Sequence, residues 1–191
     1  MYATVPRLPD RERTGLLLLP FIGLHSFQDS NATGLDAGLR VGSFVGGYIN
    51  NSWSMNGVAE LDVLNPNSKV SNADVSGKVL GVTFNPLFHV GNVKAEFVVG
   101  PKLGGWIEWA HLSVVDATAG PITADITNEG WTIGGNMGVF IPLSPTVLAG
   151  GLVSLDVRDV LHGEATVNGM TVSTSSTDSS IILGFTFGVL L

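Results

Sequence analysis

The chain lacks cysteine and has few charged residues, and each of these features excludes some classes of protein. Without cysteine, disulfides and thiolate metal sites are excluded. Only 13% of the residues are charged, about half of the ~25% usual for a soluble domain, whereas 45% are hydrophobic. A soluble protein of 191 residues needs more charge to cover its surface. Part of this surface is therefore predicted to meet something other than water.

Long apolar runs are also missing, which argues against a helical membrane protein. A membrane-spanning helix needs about 20 mostly apolar residues in succession. The longest apolar stretch, residues 15–24, is shorter than this and contains Pro20. The 25 glycines along the chain further disfavour long helices. The net charge of −7 and the pI near 4.8 argue against nucleic acid as a partner.

Alternating side-chain character predicts strands, most of them close to the ~9–11 residues that a tilted strand needs to cross a bilayer. The polar face of these segments is built from Gly, Ser, Thr and Asn with few charges, whereas a water-facing surface would carry many Lys and Glu. The polar face is therefore expected inside and the apolar face outside; Leu61, Val139, Val153 and Phe187 are expected on the exterior. The predicted strands are residues 15–26, 38–49, 53–64, 75–85, 93–109, 131–141, 146–157 and 180–191.

The connections between these segments alternate in length. The short links are residues 50–52, 86–92 and 142–145, and the long links are 28–37, 65–74, 110–130 and 158–179. An even number of strands closes the sheet and leaves no edge in lipid. We expect a polar leader over residues 1–14 and a single barrel over 15–191, with both chain ends on the short-turn side.

The last residues, 184–191, look like the C-terminal strand that the barrel-assembly machinery recognises in outer-membrane proteins, with Leu191 where Phe is usual. Over residues 15–191 the chain resembles the small outer-membrane barrels of the OmpA/OmpX type. The resemblance implies an all-β fold: an eight-stranded antiparallel up-and-down transmembrane β-barrel in a bacterial outer membrane. Its turns would be short and periplasmic, its loops long and external, and both termini periplasmic. Its partners would be outer-membrane lipid and the assembly machinery, and no cofactor is implied.

Charged side chains on the predicted inner face are the first candidate site. In a closed lumen they should pair or be hydrated, because an unpaired buried charge is costly. An ion-pair gate or a channel lining is one interpretation, and a structural plug is the other. An eight-stranded barrel is just wide enough for side chains to fill it, which favours the plug. The predicted lumen residues are Arg40, Glu60, Asp62, Lys94, Glu96, Lys102, Glu108 and Asp156.

Aromatic residues near strand ends predict two interfacial girdles. Tyr48 and Trp53 flank the first short link, and Trp109 and Trp131 flank the third long link. The long links are acidic, but no spacing matches a calcium loop, so solvated loops are favoured over a cation site. The histidines at 25, 89 and 162 are scattered and are interpreted as interfacial or loop residues rather than metal ligands.

One short motif suggests an enzyme. His111 and Ser113 are similar to the His-x-Ser arrangement of lipid A deacylase barrels, with Asp116, Asp125 or Glu129 as the acid. The residues that usually follow the Ser are absent, and a His-x-Ser tripeptide is common by chance. The favoured function is a non-enzymatic outer-membrane barrel with a structural or surface-interaction role. The alternatives are a narrow conduit for small molecules, then a lipid-modifying enzyme or a soluble barrel that binds an apolar ligand.

Overall fold

Nine antiparallel strands make up the computed structural model, which describes residues 15–27, 35–66, 73–91, 95–116, 120–144, 146–173 and 177–190. Within these residues no helix is long and apolar enough to cross a membrane. The strands are β1 Leu16–Phe27, β2 Leu35–Asn50, β3 Trp53–Pro66, β4 Ala73–Gly91, β5 Glu96–Asp116, β6 Gly120–Pro142, β7 Val147–Val167, β8 Met170–Ser173 and β9 Thr177–Leu190.

Eight of the strands form a ring. From β1 to β7 each strand pairs with the next one along the chain, β7 also pairs with β9, and β9 returns to β1. The short strand β8 lies outside the ring and pairs only with β7. Consecutive neighbours and antiparallel pairing define an up-and-down barrel, as the sequence predicted.

The apolar side chains lie on the outside of this barrel. Leu61 and Val139 are 37% and 46% exposed, whereas their polar neighbours Asp62 and Glu60 are buried. Val153 lies on the same outer face, half-buried, and the side chain of Phe187 is outside the described part of the chain. The predicted outward orientation is therefore confirmed for Leu61, Val139 and Val153, and Glu60 and Asp62 lie inside as predicted.

Apolar side chains also fill one end of the interior, which we call the turn end because the short turn at 51–52 and the bend at 143–144 lie there. This explains why β1 is apolar on both faces: Leu17 and Leu19 are buried inside, while Leu16 and Leu18 are exposed outside. The inner set is the turn-end apolar cluster: Leu17, Leu19, Phe21, Phe44, Val58, Leu87, Val98, Phe140, Leu148 and Leu152.

The opposite end, the loop end, differs from the prediction. Residues 110–130 were expected as a long loop, but β5 and β6 pair without a break up to Asp116 opposite Gly120. Likewise, β7 continues to Val167 and turns tightly through Asn168 and Gly169, both at positive φ, into β8. Asn-Gly is the preferred two-residue hairpin turn because both of its residues tolerate positive φ. Strands β5, β6 and β7, with β8, therefore extend beyond the end of β9 as a projecting sheet, and β4 accompanies β5 as far as Ala73 opposite Val114.

Candidate functional site

Six charged side chains meet inside the middle of the barrel, and we call them the central ionic cluster. Each of them is at most 4% exposed. Three are cations and three are carboxylates, so the cluster is neutral when all are ionised. Neutrality matters because an unpaired charge in a low-dielectric interior costs several kcal/mol. The members are Arg40 on β2, Glu60 and Asp62 on β3, Lys102 on β5, and Asp156 and Arg158 on β7.

Arg40 is the centre of this cluster. Its Nε and Nη2 donate to the two carboxylate oxygens of Asp62, the second bond being 2.6 Å long, in a forked pair. Its Nη1 donates to Asp156 Oδ2 at 3.1 Å and to Glu60 Oε2 at 3.3 Å. A planar guanidinium suits this role because its donors have a fixed geometry that matches a carboxylate. One side chain thus joins β2, β3 and β7 across the lumen.

Lys102 and Arg158 complete the connections. Nζ of Lys102 lies 2.9 Å from both oxygens of Glu60 and 2.8 Å from Oδ2 of Asp156. Arg158 Nη2 donates to Asp62 Oδ2 at 2.9 Å. Every carboxylate in the cluster therefore has at least two cationic partners, and β5 is tied to the strands that face it.

Small and aromatic neighbours shape the space around the cluster. Gly81 of β4 lies beside Glu60, and a Cβ there would come within 2.9 Å of the Glu60 Cγ. On the loop-end side, the guanidinium carbon of Arg158 lies 5.8 Å from the ring centre of Trp106, within cation–π range. The Trp106 indole N–H donates to the backbone oxygen of Trp131 at 2.9 Å. These contacts hold the charged side chains in one arrangement.

Little space is left in this part of the lumen. A cavity of about 10 Å³ lies where the ionic cluster meets the turn-end apolar cluster, between Arg40, Lys102, Phe44 and Leu152. A cavity of that size holds about one water molecule. Among the side chains that the structure describes, the two clusters therefore fill this part of the lumen, an arrangement that favours a plug over an open polar channel.

The other predicted lumen residues lie elsewhere. Glu96 is buried near the turn end, where its carboxylate pairs with Nδ1 of His89. His89 Nε2 in turn lies 2.7 Å from Ser54 Oγ. Towards the loop end, Glu108 accepts a 2.8 Å hydrogen bond from Asn128 Nδ2. Lys94 falls outside the described residues. Five of the eight predicted residues therefore belong to the central ionic cluster, while Glu96 and Glu108 contact other partners at the two ends of the lumen.

Sequence reasoning missed two buried residues and misplaced one aromatic. Arg158 was assigned to a loop and His89 to an interface, yet both are buried on the inner face. The signal for Arg158 was its position two residues after Asp156, on the same face of β7. Tyr48 was expected in a girdle but points inward, packing on the turn-end apolar cluster and on the His89 ring at 5.0 Å. It shares the inner face of β2 with Phe44.

The three tryptophans named for the girdles are exposed on the outer face. Trp53 lies at the turn end, where its ring packs on Phe88 at 5.0 Å. Trp109 and Trp131 lie towards the loop end, on β5 and β6. Aromatic side chains at these two levels fit the two water boundaries of a bilayer.

The enzyme-like motif is only partly assembled. His111 Nδ1 lies 2.7 Å from Asp125 Oδ1, so Asp125 is the candidate acid that contacts His111 among the described side chains. In the described chain no hydrogen bond joins Ser113 to His111, so the contact that would activate the hydroxyl is not formed. No group of three or more potential metal ligands occurs among the described residues either.

A closed ring of eight antiparallel strands with an apolar exterior and charged side chains inside is the architecture of the small outer-membrane β-barrels, and this chain has that fold. Sequence comparison adds nothing to this: no family model matches the chain, and no curated protein does.

Solved structures do resemble it. A major outer membrane protein from Thermus thermophilus aligns with a TM-score of 0.58 at 10% identity, over 91% of this chain and 99% of that one. AlkL, determined in lipid bilayers, aligns with a TM-score of 0.58 at 12% identity, over 100% of this chain and 97% of the AlkL chain. OprG from Pseudomonas aeruginosa aligns with a TM-score of 0.54 at 11% identity, over 94% of this chain and 97% of the OprG chain. At such identities the likeness concerns the fold alone.

Proposed function

We propose that this protein is an integral barrel of a bacterial outer membrane with a structural or surface-interaction role and a sealed lumen. The observation that carries the proposal is the close packing of the described side chains in the middle of the interior. A neutral six-residue ionic cluster and the turn-end apolar cluster leave a cavity of only about 10 Å³ between them. A conduit needs a continuous polar path, whereas a buried cluster of ion pairs holds the facing strands in register.

The exterior supports the membrane location. Leucine, isoleucine, valine and phenylalanine side chains are exposed around the wall, an arrangement that is unfavourable in water and favourable in lipid. The partners would be outer-membrane lipid and, during assembly, the machinery that inserts barrels. We propose that the turn end faces the periplasm and the projecting sheet faces outwards, since external connections are the longer ones in such barrels.

The projecting sheet is the part available for surface interaction. The side chains of Asp125 and Glu164 on it are more than half exposed, beside His111 and His162. A rigid, paired sheet presents such groups in fixed positions, which a flexible loop does not. The barrel would then serve as the anchor and the sheet as the contact surface.

Two measurements on the purified protein test this. Boiled and unboiled samples in detergent should migrate differently on a gel, because a closed barrel resists unfolding by detergent alone. In planar bilayers the protein should give no steady single-channel current. A reproducible unitary conductance would favour the conduit instead, and a monodisperse protein in buffer without detergent would favour the soluble barrel.

Activity is tested separately. We expect no release of fatty acid from ester-linked lipid, with or without the Ser113→Ala change. Ester cleavage that disappears in Ser113→Ala would replace the structural role with a lipid-modifying one.

A further inference from the structure

The outer wall of the barrel is not smooth: a groove of about 390 Å³ crosses it between β4 and β7. Aliphatic side chains form most of its lining, with a single carboxylate on it. Leu80, Val82, Ile107 and Leu161 are all exposed on this wall. The remaining outer-face residues of the groove are Gly105 and Glu129.

Two local features create the groove. Gly105 stands between Val82 and Trp131 on the outer face, where its missing side chain leaves a depression. On β7 the register shifts beside Gly130, so that Leu161 becomes an extra residue in the strand and is 72% exposed. The bulged leucine therefore forms a raised side to the depression. Both features are fixed by paired backbone, so the groove exists before any ligand binds.

The groove lies at the loop-end boundary of the apolar wall. Trp131 is the cross-strand neighbour of Gly105, and Trp109 follows Ile107 on the same face of β5. Glu129 precedes Trp131 by two residues on the outer face of β6 and is exposed. Within the described residues no ion pair or hydrogen bond engages its side chain. A carboxylate without a protein partner thus stands next to an aliphatic groove at the level of the tryptophans.

We propose that this groove is a specific lipid site, which holds one acyl chain along Gly105 and pairs the Glu129 carboxylate with a protonated amine in the lipid headgroup. The inference rests on the proposed membrane location. The aliphatic lining selects a hydrocarbon chain because this wall faces the bilayer. The free carboxylate selects a headgroup with ammonium N–H donors, since these form a charge-assisted hydrogen bond with it, whereas a headgroup of net negative charge is repelled.

Native mass spectrometry of the intact protein, released from detergent micelles, tests the site with three lipids of identical acyl chains. Phosphatidylethanolamine carries an ammonium group with N–H donors, phosphatidylcholine a cation without them, and phosphatidylglycerol a net negative charge. The expected order of bound lipid is phosphatidylethanolamine first and phosphatidylglycerol last. Glu129→Gln should lower phosphatidylethanolamine binding to the level of phosphatidylcholine.

Two glycine variants separate the groove from general lipid contact. In Gly105→Leu the new Cβ makes only an ordinary 3.5 Å contact with a backbone oxygen, so the strand tolerates it while the side chain fills the groove. Bound phosphatidylethanolamine should fall roughly tenfold, the loss expected when about two methylene groups lose their contacts. Gly151, on the outer face of β7, has no atom within 4 Å of its Cβ position, and Gly151→Leu should bind as the parent does.

The two proposals fail in distinguishable ways. If Gly105→Leu keeps its shift on boiling but binds as much phosphatidylethanolamine as the parent, the lipid site is wrong and the membrane barrel stands. Equal binding of phosphatidylglycerol would also overturn the site. A protein that stays monodisperse without detergent would instead remove the membrane location on which the site depends.

Discussion

The ion pairs in the lumen and those on the projecting sheet have nearly the same geometry and very different surroundings. Lys102 and Asp156 lie 2.8 Å apart with 2% and 0% of their side chains exposed. His111 and Asp125 lie 2.7 Å apart with 49% and 74% exposed. The two pairs differ little in length and greatly in burial, and the cation is an ammonium in the lumen and an imidazole on the sheet.

Burial decides what the loss of one partner costs. In the lumen the remaining charge keeps its desolvation penalty and loses its compensation, so breaking a buried pair is strongly destabilising. On the projecting sheet water and salt take the place of the missing partner, and exposed pairs contribute about 0–1 kcal/mol. The central ionic cluster should therefore contribute strongly to the free energy of unfolding, while the exposed pairs should contribute little.

Removal of the central guanidinium should have the largest effect. Arg40→Met keeps the length of the side chain but leaves Asp62, Glu60 and Asp156 short of a positive charge. We expect a loss of about 3–5 kcal/mol in the free energy of unfolding, measured by urea titration in lipid vesicles. A loss below about 1 kcal/mol, the range of a surface pair, would mean that the cluster is hydrated rather than buried.

A double variant isolates the cause of that loss. Adding Asp62→Asn to Arg40→Met removes the carboxylate that the arginine engages with two hydrogen bonds. Part of the stability should return, because the penalty comes from the uncompensated charge and not from the missing contact. A further decrease would show that the hydrogen bonds themselves dominate.

The apolar half of the lumen offers the next largest effect. Leu87 is fully buried in the turn-end apolar cluster, and Leu87→Ala leaves a cavity there. We expect a loss of about 3 kcal/mol in the same titration. Leu61→Ala on the outer wall is the matched control and should lose less, since lipid chains can occupy the vacated space. Equal losses would contradict the division of the barrel into a packed interior and a lipid-facing exterior.

A smaller effect tests how tightly the cluster is packed. Gly81→Ala places a methyl group 2.9 Å from the Glu60 Cγ, and Glu60 is fixed by Lys102 and Arg40. Displacing it should cost about 1–2 kcal/mol. Gly151→Ala, whose Cβ meets nothing within 4 Å, should leave stability unchanged. No loss in Gly81→Ala would mean that the cluster can rearrange.

The sequence predicts which face of the barrel a side chain occupies wherever residue character alternates along a strand. Strand alternation by itself assigns five of the six cluster residues to the inner face. It does not bring them together, because the pairing of Arg40 with Asp156, 116 residues away, depends on ring closure and strand tilt. The sequence therefore predicts which residues face the lumen but not which of them form ion pairs. The five residues are Arg40, Glu60, Asp62, Lys102 and Asp156.

The loop end is predicted least well, for a related reason. Residues 110–130 alternate less clearly than the wall strands, because polar residues occur on both faces there, as expected if the projecting sheet lies outside the bilayer. The bulge beside Gly130 then reverses the alternation along β7. Arg158 lies just before that reversal, at the end of the segment where the pattern can still be followed. The Asn168-Gly169 turn is the one local signal that would have located β8.

The smallest effect is expected at the exposed His111–Asp125 pair on the projecting sheet. Asp125→Asn removes the exposed partner of His111 but keeps the size and an acceptor oxygen. The free energy of unfolding should fall by about 0–0.5 kcal/mol, and by less still at high salt, because the remaining imidazole is already in contact with water. Urea titrations of Asp125→Asn at low and high salt, run in parallel with Arg40→Met, measure these losses. If Asp125→Asn were as damaging as Arg40→Met, the close approach of the charges rather than their burial would set the energy, and the lumen would lose its special role in stability.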